Sequence, residues 1–384
     1  MNNKLDYSSE FGLYIHIPFC EKKCNYCDFY SITSSANDID KFIKALTKEI
    51  ESYSHNLSNK NVKTVYFGGG TPSILSSNQL ETIFSSLNQY FNIKNNIEVS
   101  MEANPETLTS DKLKSYKKIG INRLSLGVQS FLDSELNFLG RIHDSKRSQK
   151  VIKEVKKHFD NFSLDLMFAL PDQSLSDFKY SLNKALEYEP KHISLYNLQI
   201  EPNTNLFDRL NRGEFKEMAE ETDYKMYNLA VEKLKSSDYR HYEISNFAQK
   251  GYQSKHNIIY WKYQPYLGLG PSAHGFNGSN RYYNYSDLNK YINRLNNDKT
   301  PIEEIVDLEK EDLISEMIFM GLRLINGVNK QDFKNRFDIS IHEVYGEVIN
   351  NLKDKGLLKE DSENIYLTKK GLNLGNVSFA EFLL

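Results

Sequence analysis

Read by the placement of apolar and polar positions, the chain from residue 11 to about 200 alternates between strand-like and helix-like stretches. The strand candidates are 12–17, 62–67, 97–102, 122–128, 161–168 and 192–199, short runs rich in Val, Ile, Leu, Phe and Tyr. Between them, 38–54, 76–90, 109–119, 145–158 and 174–187 carry the 3.6-residue spacing of amphipathic helices. This βα alternation predicts an α/β fold with a parallel sheet and helices outside it. Six units are too few for a closed eight-fold barrel, so the expectation is an open, partial (β/α)6 barrel.

Successive strand residues face opposite sides of a sheet, and that parity sorts four of the strands. Leu13, Ile15 and Ile17 oppose Tyr14 and His16; Ile97, Val99 and Met101 oppose Glu98, Ser100 and Glu102. Leu124, Leu126 and Val128 oppose Arg123, Ser125, Gly127 and Gln129; Phe162, Leu164 and Leu166 oppose Ser163 and Asp165. The second and sixth strands do not sort by parity. The apolar faces must meet the helices, which leaves a polar interior unlike that of an ordinary packed barrel. Glu102, Gln129 and Asp165 fall near the C-terminal ends of their strands, where barrel chemistry is placed. Their plainer reading is a satisfied buried polar network.

Beyond residue 200 the pattern changes. A helical stretch, 217–236, leads to a strand-like Tyr239 to Ile244, then to His256-Asn257-Ile258-Ile259-Tyr260-Trp261 and the glycine-bearing run Tyr266 to Gly275. The polar stretch Gln249 to Lys255 before the histidine reads as an exposed loop. The tail reads as three helices followed by a small hairpin, the order of a winged-helix-like module. The expected division is a barrel over 1–200, an α+β extension over 201–304 and the C-terminal module over 305–384.

Composition narrows the function. A net charge of −3 over 384 residues leaves no basic excess, which argues against a nucleic-acid phosphate backbone as partner. Mean hydropathy is −0.58 and no run of about eighteen apolar residues exists, so no transmembrane segment is expected. Met1 to Glu10 is polar and lacks the order of a signal peptide. Thiols that must stay reduced fit a cytoplasmic protein.

All three cysteines of the chain, Cys20, Cys24 and Cys27, stand in a C-x3-C-x2-C pattern directly after the first strand. Three thiolates in one tight loop can hold three irons of a [4Fe–4S] cube and leave the fourth iron open to a small molecule. Structural zinc asks for four ligands, and three clustered cysteines without a signal peptide make a poor disulfide framework. Gly68-Gly69-Gly70-Thr71-Pro72 follows the second strand. It lacks the Gly-Lys-Ser/Thr ending of a nucleotide P-loop, and by itself fits a plain turn as well as a close backbone approach to a ligand.

Taken together, YIHIPFCEKKCNYCDF, GGGTP, MEANPE, RLSLGVQSF, LGRIH, SLDLMFALP and GLGPSAHG, in this order over some 260 residues, resemble the radical S-adenosylmethionine (SAM) coproporphyrinogen III oxidase superfamily. The resemblance implies a radical SAM barrel, a [4Fe–4S] cluster on Cys20, Cys24 and Cys27, and SAM chelating the open iron, with an electron donor to reduce the cluster. It implies Tyr14 and Tyr26 flanking cluster and SAM, with Gly69, Gly70 and Thr71 as the glycine-rich contact. Glu102, Gln129 and Asp165 then lie near the ribose and methionyl end, Arg141 is a cation for a carboxylate, and Gln199 and His274 are two further SAM positions. The superfamily has two classes. The oxygen-independent oxidases carry a further cysteine two residues past the third, where this chain has Phe29, and a longer segment ahead of the cluster loop. The string H-N-x-x-Y-W at 256–261 resembles the heme motif of the HemW-type heme chaperones. That class implies heme on His256, with Asn257, Tyr260 and Trp261 beside it, heme-accepting apoproteins as partners, and no coproporphyrinogen III oxidation. The alternative for His256 is a packed histidine among aromatics. A coproporphyrinogen III oxidase and another radical SAM enzyme remain the rival functions.

Overall fold

The computed structural model describes residues 6–384 except Ser34 and Asn56, so Met1 to Leu5 of the polar N-terminal stretch lie outside the described residues. The first half runs β1 (Phe11–Ile17), α1 (Ala36–Ser54), β2 (Asn61–Gly69), α2 (Ser77–Tyr90), β3 (Asn92–Ala103), α3 (Ser110–Ile119), β4 (Arg123–Gln129), α4 (Asp133–Phe138), α5 (Ser145–His158), β5 (Phe162–Phe168), α6 (Leu175–Glu187) and β6 (His192–Asn197). Capping boxes at Ser35, Ser76 and Ser174 start α1, α2 and α6 by satisfying orphan backbone donors. Gly120, at φ 116°, ends α3 in the left-handed cap that a Cβ disfavours.

These six strands are parallel and stand in sequence order. After α7 (Asn205–Asn211) and α8 (Glu220–Lys235), the hairpin β7 (Arg240–Glu243) and β8 (Asn246–Ala248) extends the β6 edge. Helix α9 (Lys255–Trp261) then crosses to β9 (Tyr266–Leu269), which pairs parallel to β1. β10 (His274–Phe276), β11 (Asn280–Asn284), α10 (Leu288–Asn296) and β12 (Ile302–Asp307) complete that flank. The sheet order is β12-β11-β10-β9-β1-β2-β3-β4-β5-β6-β8-β7, an open arc rather than a closed ring. Two short anchors fix α9 in the chain: Gln249 N–H donates to Lys191 O before it, and Gly12 N–H donates to Pro265 O after it.

The outward strand faces, among them Leu13, Ile15, Val65, Phe67, Leu124, Leu126, Leu164, Leu166, Ile193 and Leu195, are buried against the helices. Each such side chain contributes about 1.5–3 kcal/mol of burial free energy. The polar faces point into the arc, as parity requires. The C-terminal region has a second core, which includes Phe333, Tyr345, Ile349, Leu352 and Ile365. There α11 (Lys310–Gly321), β13 (Val328–Asn329), α12 (Lys330–Phe337), α13 (Ile341–Asp354), β14 (Leu358–Glu360), β15 (Asn364–Leu367), α14 (Lys369–Asn373) and α15 (Gly375–Ala380) build a winged-helix-like arrangement around a β13-β15-β14 sheet.

Two local expectations differ from the structure. The short α4 was not anticipated from the periodicity, because six residues give too little repeat to read. The stretch before the histidine is a loop over 249–254, as expected, but its last residue, Ser254, is buried and caps α9, so Lys255 already belongs to a helix.

Candidate functional site

At the C-terminal end of the parallel strands lies a cavity of about 360 Å3. Its lining includes Cys20, Cys24, Tyr26, Cys27, Gly69, Gly70, Thr71, Glu102, Gln129, Arg141, Asp165 and Gln199. The cysteine loop is held by backbone bonds at its base, Cys20 N–H to Ile32 O (3.0 Å) and Ile32 N–H to Pro18 O (2.7 Å). From the side, Asn25 donates to Leu139 O through its backbone and to Phe138 O through its side chain, so the segment after α4 scaffolds the loop. Gly140, at φ 75°, makes this approach possible, since a Cβ there would meet the Asn25 side chain at 2.7 Å.

A chain of hydrogen bonds joins two of the thiols. Thr71 Oγ1 donates to Cys20 Sγ (3.3 Å), Asn104 Nδ2 to Thr71 Oγ1 (3.0 Å), Arg141 Nη2 to Asn104 Oδ1 (2.7 Å) and Arg141 Nη1 to Cys24 Sγ (3.2 Å). Arg141 also donates to Gly127 O (3.0 Å), while its buried Nε has no partner among the described residues. Burial disfavours the guanidinium's charge, but Tyr26, Cys24 and Glu106 outweigh it and raise its pKa, so it stays a cation. Burial also raises the Cys20 thiol and pushes Cys27 up to about 11. Both are therefore protonated when free at neutral pH, and a metal must displace those protons.

The donor set fits a cube. Three free thiols share one cavity beside a fixed cation, and among the described residues no three His, Cys, Asp or Glu groups converge on a single metal ion. A cluster that takes one thiolate per iron does not need such convergence.

Deeper in the cavity stand two carboxyls. Glu102 accepts from Tyr66 Oη (2.7 Å), and burial pushes it up to about 7. Asp165 accepts from Ser125 Oγ (2.9 Å) and Ser163 Oγ (3.1 Å), and burial raises it despite those bonds. Such groups gain from donors that a polar ligand brings, hydroxyls or an ammonium. Gln129 reaches the cavity from a left-handed conformation, φ 64°, just after a register shift in β4. That conformation turns its side chain toward the cavity lining at the end of the strand.

The opposite end of the barrel is filled by α9. His256 is 0% exposed. Its Nδ1 hydrogen-bonds Thr64 Oγ1 (2.7 Å), its Nε2 hydrogen-bonds Tyr260 Oη (2.8 Å), and Tyr66 stacks on its ring at 5.0 Å. Burial, and secondarily Arg123, pushes its pKa down to about 3. The Glu98 carboxylate accepts the backbone N–H groups of Lys255 (3.0 Å) and His256 (3.1 Å). Asn257 is partly buried, and Trp261 lies with Arg323 4.9 Å from its ring.

Tyr14 and His274 do not line the cavity. Tyr14 Oη hydrogen-bonds His16 Nδ1 (3.0 Å), and the His16 ring fills the space behind Gly69, so Tyr14 lies one residue removed from the cavity wall. His274 is exposed and lies against Tyr283. Sequence reasoning missed Asn104, although it sits inside MEANPE, and Tyr66 and Tyr196. Phe29 is 64% exposed on the cavity rim.

The partial barrel with three thiols at its mouth is the architecture of the radical SAM proteins, and residues 14–185 match the family model of the Radical SAM superfamily. Residues 308–374 match the HemN C-terminal domain. Coproporphyrinogen III oxidase (HemN) from Escherichia coli superposes with a TM-score of 0.85 over 97% of this chain and 90% of its own; at 22% identity this speaks for the fold. Among curated proteins, the heme chaperone HemW of Bacillus subtilis is 36% identical over 372 residues, 96% of this chain and 98% of its own. That of Lactococcus lactis is 37% identical over 97% of both chains. The chain belongs to the HemW family.

Proposed function

We propose that this protein binds heme and passes it to acceptor apoproteins in the cytoplasm, on a scaffold that carries a [4Fe–4S] cluster and SAM. The observation that carries the heme reading is end-to-end kinship with curated proteins named heme chaperones. The cluster and SAM reading rests on the convergence of Cys20, Cys24 and Cys27 with Glu102, Gln129, Arg141 and Asp165 in one cavity. Bound there, a reduced cluster supplies one electron to a sulfonium.

The chain's own groups have separate tasks. Arg141 keeps positive charge beside the Cys24 sulfur and offers its free Nε to a carboxylate. Glu102 and Asp165 accept hydrogen bonds from hydroxyl or ammonium groups. Gly69 and Gly70 present backbone alone to the cavity, and protein blocks the place of a side chain: a Cβ on Gly70 would meet Phe19 O at 2.7 Å. His256, within 256–261, is the candidate iron ligand, and the module over 305–384 offers a surface for an acceptor. With a cluster on these thiols, its electron would come from an external donor.

Titrating anaerobically reconstituted protein with heme, read by its Soret absorption, tests this. The expected result is about one heme per chain, lost in affinity by His256→Ala with iron content intact. No heme binding at all would leave an unassigned radical SAM enzyme. Incubation with SAM, a reductant and coproporphyrinogen III is expected to leave that substrate tetracarboxylic; accumulation of protoporphyrinogen IX would favour the oxidase instead.

A further inference from the structure

The histidine that would ligate heme is not available in the conformation described. A haem iron needs a ring nitrogen lone pair and open space for the macrocycle, and His256 offers neither. Both nitrogens are hydrogen-bonded and the residue is fully buried. Its surroundings are so close that even a Cβ added to Gly12 would lie 3.2 Å from His256 Cε1.

Two sets of contacts hold the helix there. At its N-terminal end, Thr64 and Tyr66 of β2 bind and stack on the imidazole, and Glu98 of β3 holds two backbone N–H groups. At its C-terminal end, Trp261 packs under the Arg323 guanidinium, beside the C-terminal module. The Trp261 indole Nε1 is buried without a partner among the described residues.

We infer that α9 is a latch, that the structure is its closed state, and that heme ligation by His256 requires the N-terminal turn of α9 to leave the barrel floor. Thr64 and Glu98 are the latch residues, and neither touches the heme. This rests on the reading that His256 is the iron ligand. The closed state lowers apparent heme affinity by the fraction of molecules that are open. Removing one latch contact leaves a buried group unsatisfied in the closed state only, which is enough to shift that fraction roughly tenfold.

The test uses the full-length reconstituted protein and hemin. Hydrogen exchange should find the amides of Lys255 and His256 protected without hemin and deprotected at saturation. Thr64→Val and Glu98→Gln should each bind hemin about tenfold faster than wild type. Unchanged protection in the hemin-bound wild type overturns the latch and needs no variant to fold. So does hemin association at the wild-type rate in both variants. His256→Ala separates the two levels. If it binds hemin with wild-type affinity and spectrum, the ligand reading falls and the latch with it; if it binds weakly while the latch variants are not faster, the ligand reading stands and the latch alone is wrong.

Discussion

The two ends of the barrel interior are built by the same strand alternation and finish differently. At the C-terminal end, polar side chains surround a cavity: three thiols, two carboxyls raised by burial, and an arginine with a buried nitrogen left over. At the N-terminal end, Thr64 binds the His256 ring, Glu98 binds the first backbone N–H groups of α9, and the histidine is fully buried. Buried polarity thus has two outcomes. At the histidine the polar groups are taken up in packing; at the mouth they line a cavity, and Arg141 Nε stays without a partner among the described residues.

The largest effect that bears on this contrast is at the thiols. Anaerobic reconstitution should give about four irons per chain, and Cys24→Ser should lose most of them; full retention by iron analysis would erase the distinction between a loaded end and a packed end. Next, Asp165→Ala and Arg141→Ala should weaken SAM binding about tenfold or more, the scale of a charge-assisted hydrogen bond. Equilibrium binding checks this, with Asp165→Ala keeping its iron; wild-type affinity in both variants removes these residues from the site.

Overpacking separates the ends more gently. Gly12→Ala should cost about 1–3 kcal/mol in denaturant unfolding, because its Cβ would meet Ile259 Cδ1 at 2.9 Å as well as the His256 ring. Gly127→Ala at the mouth should cost less stability and show instead in SAM affinity. Its Cβ would crowd Asn104 Oδ1 (2.8 Å) and Gln129 Nε2 (3.1 Å), the latter a side chain able to move. Equal losses in stability would mean that the mouth is as tightly packed as the floor.

The smallest effect is in pH dependence, where the two ends have opposite signs. Glu102 is raised from the usual carboxylate value to about 7, so the fold binds a proton the unfolded chain has lost, and its contribution to stability declines as pH rises from about 4.5 to 7. His256 is lowered from about 6.5 to about 3, so its contribution is present above pH 6.5 and declines as pH falls toward 3. Urea midpoints across pH should therefore show Glu102→Gln gaining on wild type as pH rises, and His256→Gln gaining as pH falls. The same slope in both variants would contradict the burial assigned to one of them.

The sequence made much of this legible. Parity placed Tyr14, Glu98, Glu102, Arg123, Ser125 and Asp165 on the inner face, because in β1, β3, β4 and β5 chemistry and side alternate together. In β2 it failed for two reasons: a register shift between Val62 and Thr64 breaks the alternation, and Tyr66 is an aromatic that faces inward to use its hydroxyl on Glu102. Tyr196 hides β6 in the same way, although His192 and Ser194 share its face. Motif and strand-end position found most of the cavity. Asn104 was passed over because its role is to join Thr71 to Arg141, a contact between distant segments that no local pattern encodes. The packed alternative for His256 was legible in the aromatics around it, but its partners Glu98 and Thr64 were not, since they lie more than 150 residues away in sequence.

The anchors on either side of α9 are unequal, and that sets how far it can travel. Between Trp261 and the pinned Pro265 lie only residues 262–264, about 10 Å of chain at full extension. Within that span Tyr263 is held by Glu316 through its hydroxyl (2.5 Å) and by Arg336, 4.7 Å from its ring. On the other side, residues 250–254 give about 17 Å beyond the bond at Gln249 once the Ser254 N–H bond to Tyr242 Oη (3.3 Å) is released. A helix on such tethers hinges at its tryptophan end and swings at its histidine end, like a drawbridge rather than a detached arm. On the latch inferred above, an acceptor would meet a cargo held by His256 beside the barrel floor, within reach of that tether.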